Sequence, residues 1–212
     1  FGDPERGVLQ IFSSDPLVHP INGTPWDIVS RVNQGVVTAI AFSPDEKTIA
    51  SGGWGEIWFW NKEGEAIRPP IRIGESQTAK LWYGPFFWYN PTLKWSNSGS
   101  KREFRALIFD SSGQKLFVCH QTGIKLIDLH TDTVKVLSKD SEDCKTASPN
   151  PDKNIIATGT SNGNILFWSW DGSLIKEITA EETTIQGIAF HPGGKSLAIS
   201  GKKQVQLRSL TG

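Results

Sequence analysis

An all-β fold, a β-propeller of four-stranded antiparallel blades forming an incomplete ring, is what three observations predict for this chain of 212 residues. First, a strand–turn–strand segment recurs at 37–50, 104–117, 144–157 and 185–198, its inner strand ending at Phe42, Phe109, Pro149 and Phe190. Second, the successive offsets are 67, 40 and 41 residues, and a strand-bearing repeat near 40 residues gives one propeller blade per repeat. Third, each segment is followed by a polar turn and an alternating strand whose apolar residues keep one phase: Ile57/Phe59, Ile124/Leu126, Ile165/Phe167 and Val205/Leu207. That phase turns the same face of every unit to the core.

Taken in order, residues 1–30 read as a partial blade, with 7–13 as its third strand and 17–21 as its fourth. A full blade follows at 34–73, with strands beginning near 36, 47, 55 and 65, then an aromatic insertion at 74–102. Further blades occupy 103–138, 143–179 and 184–210, the last without its fourth strand. Pro44-Asp45, Ser112-Gly113, Pro151-Asp152 and Gly193-Gly194 supply the turn chemistry between first and second strands. Methionine is absent even from position 1, and both ends fall inside the repeat pattern, so the sequence predicts a segment of a larger propeller.

Phe42-Ser43-Pro44-Asp45, then Ile49-Ala50-Ser51-Gly52, then Phe59-Trp60-Asn61 resembles the repeat of the WD-repeat propellers, and so does 155–159 followed by Phe167-Trp168-Ser169. The resemblance covers most of the chain outside 74–102. The family's terminal Trp-Asp stands here as Trp60-Asn61, Ile127-Asp128, Trp168-Ser169 and Arg208-Ser209, and the Asp usual in the preceding turn is missing from all four units. The family's Asp-His-Ser-Trp hydrogen-bond network is therefore not expected, and packing must carry the blades. The resemblance implies a non-catalytic scaffold for a protein or peptide partner, serving as the sensor or regulatory part of a larger, bacterial-type multidomain protein; many bacterial members of the family follow an NTPase or kinase domain, and the sequence leaves the presence of one here open. The competing class it leaves open is a propeller enzyme whose central-channel site is completed by further blades.

Composition narrows the partners. A hydrophobic share of 37% with nine tryptophans is ample for a core, and 22 basic against 22 acidic residues leave no net charge to draw nucleic acid or an anionic membrane. Neither Cys119 nor Cys144 has metal-ligand spacing, and both read as buried thiols rather than a disulfide or a nucleophile, which predicts a reducing, cytoplasmic compartment. His19, His120, His130 and His191 are scattered and read as surface or turn residues, while Glu181-Glu182 and residues 140–143 read as solvated loop charge. Asn22-Gly23-Thr24 matches a glycosylation sequon but precedes Pro25 and is discounted. No phosphate loop, metal pair or nucleophile elbow is present, so no cofactor is expected.

The insertion adds about 27 residues to the first offset and holds Trp82, Tyr83, Phe86, Phe87, Trp88, Tyr89 and Trp95. So much apolar area either folds down on the blades or serves as an anchor surface. Trp54, Trp82, Tyr83, Trp88, Tyr89 and Trp95 are the candidate partner-binding residues, because Trp and Tyr dominate binding hot spots and Trp54 stands where a tight turn calls for a polar side chain. Self-association through bare sheet edges is also expected.

Overall fold

The computed structural model describes residues 7–10, 29–33, 37–53, 55–73, 103–138, 143–151, 154–180 and 184–210. Seventeen strands and no helix occur among them, arranged as consecutive antiparallel meanders. The first full blade is β3 (Ala39–Phe42), β4 (Ile49–Gly53), β5 (Glu56–Trp60) and β6 (Ala66–Arg72). The second is β7 (Phe104–Phe109), β8 (Lys115–His120), β9 (Gly123–Asp128) and β10 (Thr133–Val136). The third is β11 (Cys144–Pro149), β12 (Ile155–Thr160), β13 (Asn164–Ser169) and β14 (Leu174–Thr179). The final sheet has three strands, β15 (Gly187–Phe190), β16 (Ser196–Ser200) and β17 (Val205–Ser209).

Ahead of these, β1 (Gly7–Gln10) pairs antiparallel with β2 (Val29–Asn33), so the partner of the first strand is 29–33. The expected fourth strand at 17–21 lies outside the described residues.

The turns explain why the repeat is legible. The residue after each first strand closes the same hydrogen bond: Ser43 N to Thr48 O (2.8 Å), Asp110 N to Lys115 O (3.0 Å), Asn150 N to Ile155 O (2.9 Å) and His191 N to Ser196 O (2.9 Å). Inside that turn Gly113 and Gly194 take positive φ values of 70° and 60°, whereas the first blade places Glu46 there at 59°. Exposed turn carboxylates hold the hairpins further. The Ser43 hydroxyl, then the Lys47 N–H, keep Asp45 below the usual carboxylate range. The Ser169 hydroxyl and the Ser173 N–H lower Asp171 to about 2.

Blades meet through a repeated contact. The second strand offers a small residue, and the residue opening the next blade's inner strand sits on it: Phe104 over Gly52, and Ile185 over Gly159. A Cβ built on Gly52 would stand 2.7 Å from the Phe104 ring, and one on Gly159 would stand 2.4 Å from Cγ2 of Ile185. Gly159→Ala should therefore destabilise the chain by about 1 to 3 kcal/mol through overpacking, read as a lowered urea midpoint. An unchanged midpoint would show that this interface gives way freely.

Between the second and third blades the equivalent positions are Cys119 and Cys144. They are joined as a disulfide with Cα atoms 5.4 Å apart, which corrects the reading of both as thiols. Their burial was read correctly, since each is fully enclosed. Strand pleating brings them together: Cys119 takes the small-residue place of the second blade and Cys144 the knob place of the third, so the register that seats Phe104 on Gly52 seats one sulfur on the other. Further along the same interface, Phe117 meets Trp170 edge to face at 6.3 Å, and Lys115 Nζ donates to the Trp170 carbonyl at 2.9 Å.

Ile57, Phe59, Ile165 and Phe167 are buried between blades as the alternation predicts, Phe109 is buried and Phe190 is half-buried. Two expectations need correction. Phe42, Val205 and Leu207, expected to be buried between blades, are exposed, because among the described residues no neighbouring blade packs on these faces of the first full and final blades. The hydrogen-bond network is also not wholly absent. Trp60 Nε1 donates to Ser51 Oγ (2.8 Å) and Trp168 Nε1 to Thr158 Oγ1 (3.0 Å), so the indole-to-hydroxyl link between second and third strands survives in two blades.

Candidate interaction face

At one end of each four-stranded blade three pieces of backbone converge on the turn joining the second and third strands, and in the final sheet two of them do. The end of the outer strand is pinned there by Ile73 N to Gly55 O (2.7 Å), Leu137 N to Ile124 O (2.9 Å) and Ala180 N to Gly163 O (2.9 Å). The start of the inner strand is pinned by Thr38 N to Gly52 O (2.9 Å), Gln121 N to Glu103 O (3.1 Å), Ser161 N to Asp143 O (3.1 Å) and Gln186 N to Ser200 O (2.8 Å). Loops that leave an outer strand for the next inner strand therefore start and finish on this face. Ile73 and Glu103, which bracket the aromatic insertion, both stand on it. Trp54, Trp82, Tyr83, Trp88, Tyr89 and Trp95 themselves lie outside the described residues, as do His19 and residues 181–182.

The described rim is polar and internally balanced. Glu103 pairs with Arg105 at 3.0 Å, and Asp143 pairs with Lys145 at the equivalent place of the next blade. Residues two apart on a strand share a face, which is why each acid finds its base. The following blade carries Thr184 and Gln186 there instead, and the Thr184 hydroxyl donates to Ser161 O at 3.0 Å. Thr38 ties two blades together, its Oγ1 accepting from Phe104 N at 3.0 Å.

His120 departs from the sequence reading. It is fully buried rather than a surface turn residue, its ring set edge-on to Phe104 at 4.7 Å and its Nδ1 accepting from Thr122 N at 3.1 Å. His130 and His191 are exposed as expected.

Chemically this face offers paired charges and hydroxyls around a plug of apolar packing. Arg105 and Lys145 are each compensated by a carboxylate on the same strand, so the rim carries no concentrated field of either sign. Among the described residues no group of three or more His, Cys, Asp or Glu could hold a metal ion, and no helix is long and apolar enough to cross a membrane. The acid–base pairing was within reach of the sequence, because 103/105 and 143/145 occupy identical repeat positions. Reading Asp143 with the neighbouring acidic loop hid it.

Residues 29–61, running from β2 to the residue after β5, match the family model described as "WD domain, G-beta repeat". Among characterised proteins the chain is similar to Nuclear distribution protein PAC1-1 of Uncinocarpus reesii, 38% identical over 53 residues. It is also similar to Nuclear distribution protein nudF of Aspergillus niger, 41% identical over 54 residues. Each match covers 25% of this chain and 12% of the relative, so only a small part of those proteins is represented.

Proposed function

We propose that this chain, which matches a WD-repeat model over residues 29–61, is a non-catalytic scaffold that binds a protein or peptide partner on the face where outer strands, inner strands and second-to-third-strand turns converge. WD repeats generally mediate protein–protein interaction, and stacked sheets display many loop side chains on a stiff support. One observation carries the reading: the aromatic segment 74–102 is rooted at both ends, Ile73 and Glu103, on that face. Trp54, Trp82, Tyr83, Trp88, Tyr89 and Trp95 are the anchors, and the Glu103/Arg105 and Asp143/Lys145 pairs form a polar rim that fixes orientation.

In this reading the chain acts as the regulatory part of a multidomain protein and also associates with itself. The relatives are named for nuclear distribution, a cellular role rather than a reaction, which supports a non-catalytic part. Zero net charge argues against nucleic acid or a lipid surface as the partner. The cytoplasmic placement loses its support from cysteine usage, because the Cys119–Cys144 bond fits an oxidising compartment. Recovery of the bonded form from a reducing cytosol would restore it.

Peptides selected by display against the purified chain test the proposal. Trp54→Ala with Trp88→Ala should weaken the selected binders at least tenfold, the scale of a hot-spot loss, while the melting temperature stays within a degree or two. Binders indifferent to the double variant would move the interaction surface elsewhere. A variant that unfolds would make the insertion a structural lid.

A further inference from the structure

We infer that the Cys119–Cys144 bond is a redox switch of the interaction face: bonded, it locks the rims of the second and third blades together, and reduced, it frees the start of β11. In placing the switch on that face, the inference rests on the function proposed above. Cys144 stands between Asp143 and Lys145, whose side chains pair on the rim, and the Asp143 carbonyl accepts from Ser161 N at 3.1 Å. Cys119 faces Ala106 across the β7–β8 ladder and precedes His120 and Gln121, the latter donating its N–H to the Glu103 carbonyl at 3.1 Å. One covalent link therefore joins the backbone frames of the two rim ion pairs, Glu103/Arg105 and Asp143/Lys145.

The two sulfurs are held unequally. β8 lies between β7 and β9 and is laddered on both sides, whereas β11 is the inner edge of its sheet and is laddered to β12 alone. Cys144 opens β11, and directly after it the register slips: Cys144 faces Thr160 and Thr146 faces Gly159, which leaves no residue opposite Lys145. A bulge at the end of an edge strand is where a ladder opens at least cost. The start of β11 is thus the part that moves, and Cys119 the part that stays.

Other contacts across this interface sit at the opposite end. Phe117 against Trp170, Lys115 Nζ on the Trp170 carbonyl and Lys135 Nζ on the Asp171 carbonyl (2.8 Å) gather around the turn between third and fourth strands, away from the rim. At the rim end the sulfur bridge takes the place that Phe104 over Gly52 and Ile185 over Gly159 fill at the neighbouring interfaces, and two thiols fill it less well than either knob. Once the bond is cut, the far end still holds the blades together. They hinge open at the rim rather than separate.

The reaction partner is a dithiol reductant. Both sulfurs are fully enclosed, so attack follows the opening of residues 143–146. A thiolate of the dithiol then bonds to the Cys144 sulfur and the Cys119 thiolate leaves. The second thiol attacks the mixed disulfide, the Cys144 thiolate leaves, and the reductant departs as its own cyclic disulfide. Two electrons and the two thiol protons pass to the cysteines, and a disulfide oxidant reverses the exchange.

Hydrogen exchange on the full 212-residue chain tests it, in the bonded form and after treatment with dithiothreitol at neutral pH without denaturant. Thiol tagging should find both cysteines reduced, and amides of β11 should then exchange at least about tenfold faster while those of β9 and β13 keep their protection. Cys119→Ala with Cys144→Ala should match the reduced form with or without dithiothreitol. Should that variant lose its fold, reoxidation of the reduced chain serves instead and should restore the protection of β11. A bond that dithiothreitol reaches only in denaturant, β11 amides indifferent to its state, or protection lost evenly over all blades would each overturn the inference. The first two would make the bond a fixed staple, and the third would make it a requirement of the whole fold. Peptides selected as above should bind the two forms with affinities at least about fivefold apart. Equal affinities beside faster β11 exchange would overturn the assignment to the interaction face and leave the proposed function standing, whereas peptides indifferent to Trp54 and Trp88 would strike that function and leave the exchange result untouched.

Discussion

Phe104→Ala should destabilise the chain by about 3 to 5 kcal/mol, the loss usual for a large aromatic removed from a closed core. The ring is fully buried, rests on Gly52 where no Cβ could fit, and meets the His120 ring edge-on at 4.7 Å. Truncation would thus open a cavity bounded by two blades at once, and stiff sheets on both sides limit how far it can collapse. Phe42→Ala, at the position equivalent to Phe109 and Phe190, should cost less than about 1 kcal/mol in dilute solution because Phe42 faces solvent. Denaturant midpoints of the two variants, compared at matched protein concentration, decide the matter. Equal shifts would mean that the Phe42 face is covered after all.

What the sequence made legible follows from periodicity. Four inner strands, their turns and the phase of the third strands could be read because each blade repeats the same burial problem, and repetition filters out local noise. The strand starts shifted only from 36, 47, 55 and 65 to Ala39, Ile49, Glu56 and Ala66 in the first full blade. Where repetition stops, legibility stops with it. The partner of β1 is Val29–Asn33, although the apolar run at 17–21 is nearer in sequence, because distance along the chain says little about which edge a strand joins. Phe42, Val205 and Leu207 carry the pattern of buried residues, yet a pattern records which face is apolar and not whether a neighbour covers it. The interaction face is legible only as far as its frame: the hydrogen bonds at Ile73, Glu103 and the adjacent turns fix where the insertion is rooted, while its tryptophans are known from composition.

The disulfide is the clearest case of information present but unread. Residues 52, 119 and 159 are repeat-equivalent, as are 104, 144 and 185, so Gly52/Phe104, Cys119/Cys144 and Gly159/Ile185 are three versions of one contact. Spacing along the chain does not show it, since 25 residues separate the two cysteines and no local motif joins them. Only the stacking of one blade on the next brings the positions together. The second-to-third interface also has the leanest inner strand, Cys144-Lys145-Thr146-Ala147-Ser148-Pro149, which offers no aliphatic-x-Phe pair. A covalent link stands where the other interfaces rely on bulk.

Cys119→Ala with Cys144→Ala should accordingly lower stability by about 3 kcal/mol, the chain-entropy estimate for releasing a loop of this length. Reduction of the unaltered chain in denaturant, followed by refolding with the thiols kept reduced, should produce a similar drop. Thiol titration of the unfolded, unreduced protein should find no free sulfhydryl, and two would restore the thiol reading and remove the expected loss. A further pair of changes separates the covalent from the packing contribution. Cys119→Gly with Cys144→Ile rebuilds the Gly159/Ile185 contact at the second interface, and because the two positions share backbone geometry it should recover part of what the alanine pair loses. Recovery would show that the interface is one design with interchangeable fillings. A glycine–isoleucine variant no more stable than the alanine pair would show that the thin inner strand at 144–149 cannot hold a bulky knob, and that the sulfur bridge is what this interface requires.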